Sequence, residues 1–113
     1  MVKLKKLFQP AQLTASAATY YTTPANTRTQ IKKLTVTNPT SSAAVRLVTV
    51  HLVPSGGSAS DTNMIISARP VAIGQAMDLF EAENHILEPG DFIQALADAA
   101  TDVTIMGSGL EVT

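Results

Sequence analysis

The chain has no cysteine and no tryptophan. Without thiols there is no disulfide framework and no thiolate metal site, and either redox compartment is permitted. Aromatic residues make up 4% of the 113 positions, so a core has to be built from Val, Ile, Leu, Ala and Met. Charged residues reach only 15%, against an ordinary share of about 25%. A surface so poor in charge fits a chain partly covered by partners, because interface cores are depleted of charge. The net charge of −1 supplies no basic field for nucleic acid, and the one local bias is Lys3, Lys5 and Lys6. No window approaches 18 consecutive apolar residues, so no membrane-spanning helix is expected. No apolar run follows the basic N-terminus either, so the chain is expected to carry no export signal and to be made in the cytoplasm.

What is present is a mean hydropathy of +0.17 and a hydrophobic share of 45%, which exclude disorder of the whole chain. The length fits one domain with one core. The apolar residues recur with the period of strands. Leu34 and Val36 share one face between Thr27 and Asn38, while Lys33, Thr35 and Thr37 face away. Ile31 falls out of register with that face, and a β-bulge at Lys32-Lys33 restores it.

From Ala44 to Val53 both faces are apolar. Val48, Val50 and Leu52 lie on one side, and Val45, Leu47 and Val53 on the other. Such a strand needs a cover on each face, from its own domain or from another subunit. Further strands are expected over Thr14–Thr23, Met64–Ser67 with an extended continuation to Gly74, Phe92–Ala97 and Val103–Val112, the last with a break at Gly107-Ser108-Gly109. Gln75–Glu83 is expected to be strand because Met77 and Leu79 alternate with Asp78. Pro89-Gly90 suits a type II turn, where Gly accepts positive φ. Pro10 removes a backbone donor from the Lys3–Leu13 segment, which predicts an edge strand or an extended arm.

Eight or nine short strands at this spacing, with no crossover helix, predict an all-β antiparallel sandwich of jelly-roll or immunoglobulin-like type. The expected organisation is an N-terminal arm or edge strand over residues 1–13 and one sandwich over 14–113.

Candidate chemistry is sparse. His51 and His85 lack any paired ligand spacing such as HxH or HExxH. Asp78, Glu81, Glu83 and Glu88 are near one another in sequence, which is not the geometry of two carboxylates across a cleft. Gly107-Ser108-Gly109 lacks the strand–turn–helix setting of a nucleophile elbow. No loop of EF-hand type is present. No catalytic residue, metal ligand or cofactor is expected.

A set of turns and strands does carry a resemblance. Tyr21-Thr22-Thr23-Pro24-Ala25 leads into the strand Ile31 to Asn38. A Thr/Ser/Ala turn follows, then a strand ending His51-Leu52-Val53-Pro54-Ser55-Gly56-Gly57. Near the C-terminus come Leu87-Glu88-Pro89-Gly90-Asp91-Phe92-Ile93 and a Val-x-Ile strand. Over residues 17–113 this pattern resembles a module of structural proteins of tailed bacteriophages. The long N-terminal lead and the charged segment Gln75–Asn84 depart from it.

The resemblance implies a non-enzymatic β-sandwich of the virion. The size and the arm fit a capsid decoration (cement) protein, a homotrimer bound to major capsid or other virion proteins. The alternative it leaves is a neck, tail-fibre or baseplate module that binds host-surface glycan. On the first reading, Leu4, Leu7, Phe8 and Leu13 of the arm and Val45, Leu47 and Val53 of the two-faced strand are the expected contact residues. Neither nucleic acid nor membrane is an expected partner. Deleting residues 1–13 is expected to leave a folded β domain that assembles less well.

Overall fold

The computed structural model describes all residues, 1–113, and contains nine strands and no α-helix. The strands are β1 (Val2–Gln12), β2 (Ala18–Thr22), β3 (Arg28–Thr37), β4 (Arg46–Val53), β5 (Met64–Val71), β6 (Ala76–Asp78), β7 (Ile86–Leu87), β8 (Phe92–Ala97) and β9 (Thr104–Val112). One sheet runs β1-β9-β3-β6, with β7 also on β3; the other runs β2-β8-β4-β5. Every pairing is antiparallel.

β6 and β7 are two pieces of one edge strand. Between them lies a 3₁₀ turn, Phe80–Ala82. The edge bonding to β3 continues across that turn through Leu79 N–H to Leu34 C=O (2.8 Å) and Asn84 N–H to Ile31 C=O (2.6 Å). Counted so, eight strands form two four-stranded sheets, and successive strands alternate between them from β1 to β4. This is the double Greek key of a jelly roll, not the strand order of an immunoglobulin sandwich. The interruption has a local cause. β3 carries its extra residue between Ile31 and Lys33, the bulge that its apolar spacing predicts, and the partner edge lifts into the turn opposite it. The Gln75–Glu83 segment is therefore strand only as far as Asp78. Leu79 turns fully into the core and Phe80 turns out.

The core lies between the sheets. Alternate residues of β8 (Ile93, Ala95, Ala97), β9 (Ile105) and β3 (Ile31, Leu34, Val36) point inward, with Val48 and Val50 from β4. Each such aliphatic side chain contributes about 1.5–3 kcal/mol on leaving water. β9 runs unbroken through Gly107 and Gly109, so the break expected there is absent. The two glycines occupy inward positions where β1 and β3 crowd in. A Cβ on Gly107 would lie 2.7 Å from the Phe8 ring and 2.8 Å from Leu34 Cδ2; one on Gly109 would lie 2.4 Å from the Gln30 carbonyl oxygen.

β1 pairs with β9 from Val2↔Val112 to Gln12↔Thr104, with irregularities between Lys6 and Phe8 and between Phe8 and Ala11. Pro10 sits in the second of these, where no ladder donor is required. β1 is thus an edge strand in this structure. Leu7 and Leu13 are core residues, Leu13 with no exposed surface.

Candidate interaction surfaces

The two-faced β4 sends Val48 and Val50 into the core and the alternate residues Leu47, Thr49, His51 and Val53 to the outer face. The chain covers one end of that face itself. The loop 54–63 folds back so that the backbone at Gly57 passes over Val53, where a Cβ would lie 3.5 Å from Val53 Cγ1. His51 anchors the fold-back. Its Nδ1 lies 2.9 Å from Asn63 Oδ1 and 3.2 Å from the Ser60 carbonyl. Both are acceptors, because Asn63 Oδ1 also receives the Ser60 N–H and its Nδ2 donates to the Ser58 carbonyl. Nδ1 therefore carries the hydrogen. Val45 and Leu47, at the other end, stay exposed.

The expected contact residues accordingly divide. Leu7, Leu13 and Val53 are enclosed by this chain's own packing, and Phe8 is half-buried against the core, 5.9 Å from Tyr20. Leu4, Val45 and Leu47 face solvent, Leu4 at 89% exposure.

Leu4 does not stand alone. On the outer face of the first sheet Val2 opposes Val112, and Leu4 opposes Leu110, which opposes Gln30, which opposes Ile86. Val2, Leu4 and Val112 are exposed and Leu110 half-buried, so these four form one apolar patch at the β1 edge, with the exposed Ile86 set apart beyond Gln30. A contiguous exposed patch of this kind marks an interaction surface more strongly than scattered single residues do. Sequence spacing alone could not find it, because it depends on which strand neighbours which.

The charges are also sorted by strand order. Residues 1–27 hold Lys3, Lys5 and Lys6 and no acid. Lys5 meets Glu111 at 3.6 Å, while Lys3 and Lys6 have no partner. Residues 61–91 hold six acids (Asp61, Asp78, Glu81, Glu83, Glu88, Asp91) and one arginine, and of these Asp78, Glu81, Glu83 and Glu88 lie on or beside the β6–β7 edge. Asp78 pairs with Lys33 (3.3 Å) and Glu88 with Arg28 (2.8 Å). Glu81 takes a two-pronged contact from Arg69, and that guanidinium holds its carboxyl down at about 2. Glu83 has no partner. Phe80, 69% exposed, projects between Asp78 and Glu81.

Inside the sandwich one polar bridge joins the sheets. The Tyr21 hydroxyl of β2 donates to Glu111 Oε2 of β9 at 2.5 Å. With its hydrogen so used, it accepts one from Thr29 Oγ1 of β3 at 2.8 Å. Burial, and the carboxylate next to it, push the Tyr21 hydroxyl up to about 12.

The two histidines are far apart in role. His51 is buried in the loop anchor, and His85 is exposed beside Ile86. No group of three or more His, Asp or Glu side chains converges. No helix is long and apolar enough to cross a membrane.

No family model matches the sequence, and no curated protein sequence is similar to it. Solved structures do share the fold. A Bacillus protein described under "endospore appendages form a novel family of disulfide-linked pili" superposes over 99% of this chain and 88% of its own, at 15% identity and a TM-score of 0.58. Infectious bursal disease virus, Gx strain, gives 98% of this chain, 13% identity and a TM-score of 0.53. The T13 particle of the same virus gives 98%, 10% and 0.54. The chain spans about a third of those viral proteins, 32% and 30%. Identities this low establish a shared all-β sandwich fold and nothing further.

Proposed function

We propose that the chain is a non-enzymatic structural protein of a virus particle, a bacteriophage capsid decoration protein that stabilises the shell through contacts between subunits and with the capsid. The observation that carries this reading is the apolar patch of Val2, Leu4, Leu110 and Val112 on the outer face of a jelly roll that has a separate core of its own. On a chain with so few charges, an exposed apolar face of this kind marks a surface that a partner covers. The fold supports the reading, because jelly rolls are a common architecture of capsid proteins. The likeness to infectious bursal disease virus and to spore appendages points the same way: both are particles or fibres built from repeated copies. The disulfide link of the appendages has no counterpart here, since this chain has no cysteine. Its assembly rests on apolar and ionic contacts.

The working form is a ring of three copies seated where capsomers meet. Electron microscopy of whole particles locates it. Density for the jelly roll at regular lattice positions on the capsid surface is the expected result, and density confined to the tail or one vertex contradicts the decoration role.

A further inference from the structure

We infer that copies of this chain associate side by side and head to tail, the β1 edge of one against the β6–β7 edge of the next. This deepens the structural role proposed above and rests on it. Strand order β1-β9-β3-β6 puts these two edges on opposite sides of one sheet. Each leaves charge of one sign without a partner. Lys3 and Lys6 on β1 have no partner within the chain, and nothing acidic lies in the first 27 residues. On the other edge Asp78, Glu81 and Glu88 are already paired with Lys33, Arg69 and Arg28, and Glu83, just after the turn that splits the strand, is the acid left without a partner. Each edge also presents an apolar anchor at its margin, Leu4 on one and Phe80 on the other.

The β1 edge is unsuited to pairing with its own kind. Edge-to-edge pairing of two β1 strands would set lysines against lysines, and Pro10 and the two irregularities interrupt the ladder. A surface with an unpaired acid beside an apolar anchor suits it, and a second copy carries one in Glu83 and Phe80. A contact between two different surfaces generates a ring when the rotation closes and a filament when it does not. Three copies closing on themselves give the trimer.

The test uses the full chain and two charge reversals, Lys3→Glu/Lys6→Glu and Glu81→Lys/Glu83→Lys, with sedimentation velocity as the readout. Wild type is expected to form trimers or larger species at low salt and to dissociate at about 1 M salt, where the screening length falls to about 3 Å. Each reversal alone is expected to weaken association at least tenfold. An equimolar mixture of the two is expected to recover association in species of even copy number and not as trimers, because only a contact between unlike variants brings a β1 edge to an edge of opposite charge. A second pair, Leu4→Ser and Phe80→Ser, weakens association without altering charge and guards against a reversal that disturbs the turn.

A wild type that stays monomeric at all salt concentrations, or that stops at a dimer, overturns the inference. So does assembly that ignores both the reversals and the serine variants. In that last case the structural role stands and only the edge assignment falls. Absence of the protein from purified particles overturns the structural role itself, whatever the reversals do.

Discussion

The Tyr21 hydroxyl of one sheet donates a 2.5 Å hydrogen bond to the Glu111 carboxylate of the other. Thr29 completes the bridge from β3, and Lys5 reaches Glu111 from the β1 edge. Four strands thus meet at one buried polar point near the end of the sandwich where β1 begins.

Tyr21→Phe removes the hydroxyl and leaves the buried carboxylate one donor short. The expected loss is about 1–3 kcal/mol of stability, read from urea or thermal unfolding. Ultraviolet titration provides a second check. Tyr21 is expected to ionise near 12, against about 10 for a free tyrosine. Because the folded value is the raised one, its contribution to stability is complete below about pH 10 and is lost as pH rises through 12.

Gly109→Ala is expected to be more damaging than Gly107→Ala. At Gly109 the added carbon meets the Gln30 backbone at 2.4 Å, which can move only with the strand. At Gly107 it meets the ends of the Phe8 and Leu34 side chains, which can turn aside. Overpacking of this kind costs about 1–3 kcal/mol, and comparison of the two unfolding midpoints checks the order.

The Arg69–Glu81 pair is exposed, so its value lies in placing the 3₁₀ turn and not in global stability. An NMR titration of the carboxyl groups is expected to find Glu81 near 2. Arg69→Gln should raise it toward the ordinary glutamate value of about 4.3. The sign is opposite to that of Tyr21: the pair's contribution is present above about pH 4.3 and is lost as pH falls through 2.

Removing residues 1–13 is expected to do more than weaken assembly. Leu7 and Leu13 fill the core, and β1 covers the whole length of β9. Loss of one buried leucine alone costs about 2–5 kcal/mol. The truncated chain should show a collapsed thermal transition or aggregate through the uncovered β9 edge. A truncated protein that keeps the unfolding midpoint of the full chain would show that β1 is dispensable to the core.

Much of this fold is legible in the sequence, because strands announce themselves by alternation. The Phe92–Ala97 strand falls where its pattern places it. The bulge at Lys32-Lys33 follows from Ile31 being three residues before Leu34. Gly90, with φ of +87°, occupies its turn as Pro89-Gly90 requires. What resists reading is whatever depends on contacts between distant segments. Val53 is apolar on an outer face, and nothing in its neighbourhood tells that Gly57 will fold over it. Phe80 and Leu79 are adjacent and similar, yet one is exposed and the other is core, because the bulge in β3 diverts the chain between them. The patch around Leu4 depends on β1 lying beside β9, an order that periodicity does not encode. For the same reason Leu7, equally apolar and on the same strand, turns inward while Leu4 turns out.

The central claim is that this jelly roll is a repeated building block of a particle. The most direct measurement is its copy number in gradient-purified particles, by quantitative mass spectrometry against the main shell protein. The account predicts a fixed ratio, reproducible between preparations and a multiple of three per particle. Absence from the particles, or a trace amount that varies between preparations, would contradict it.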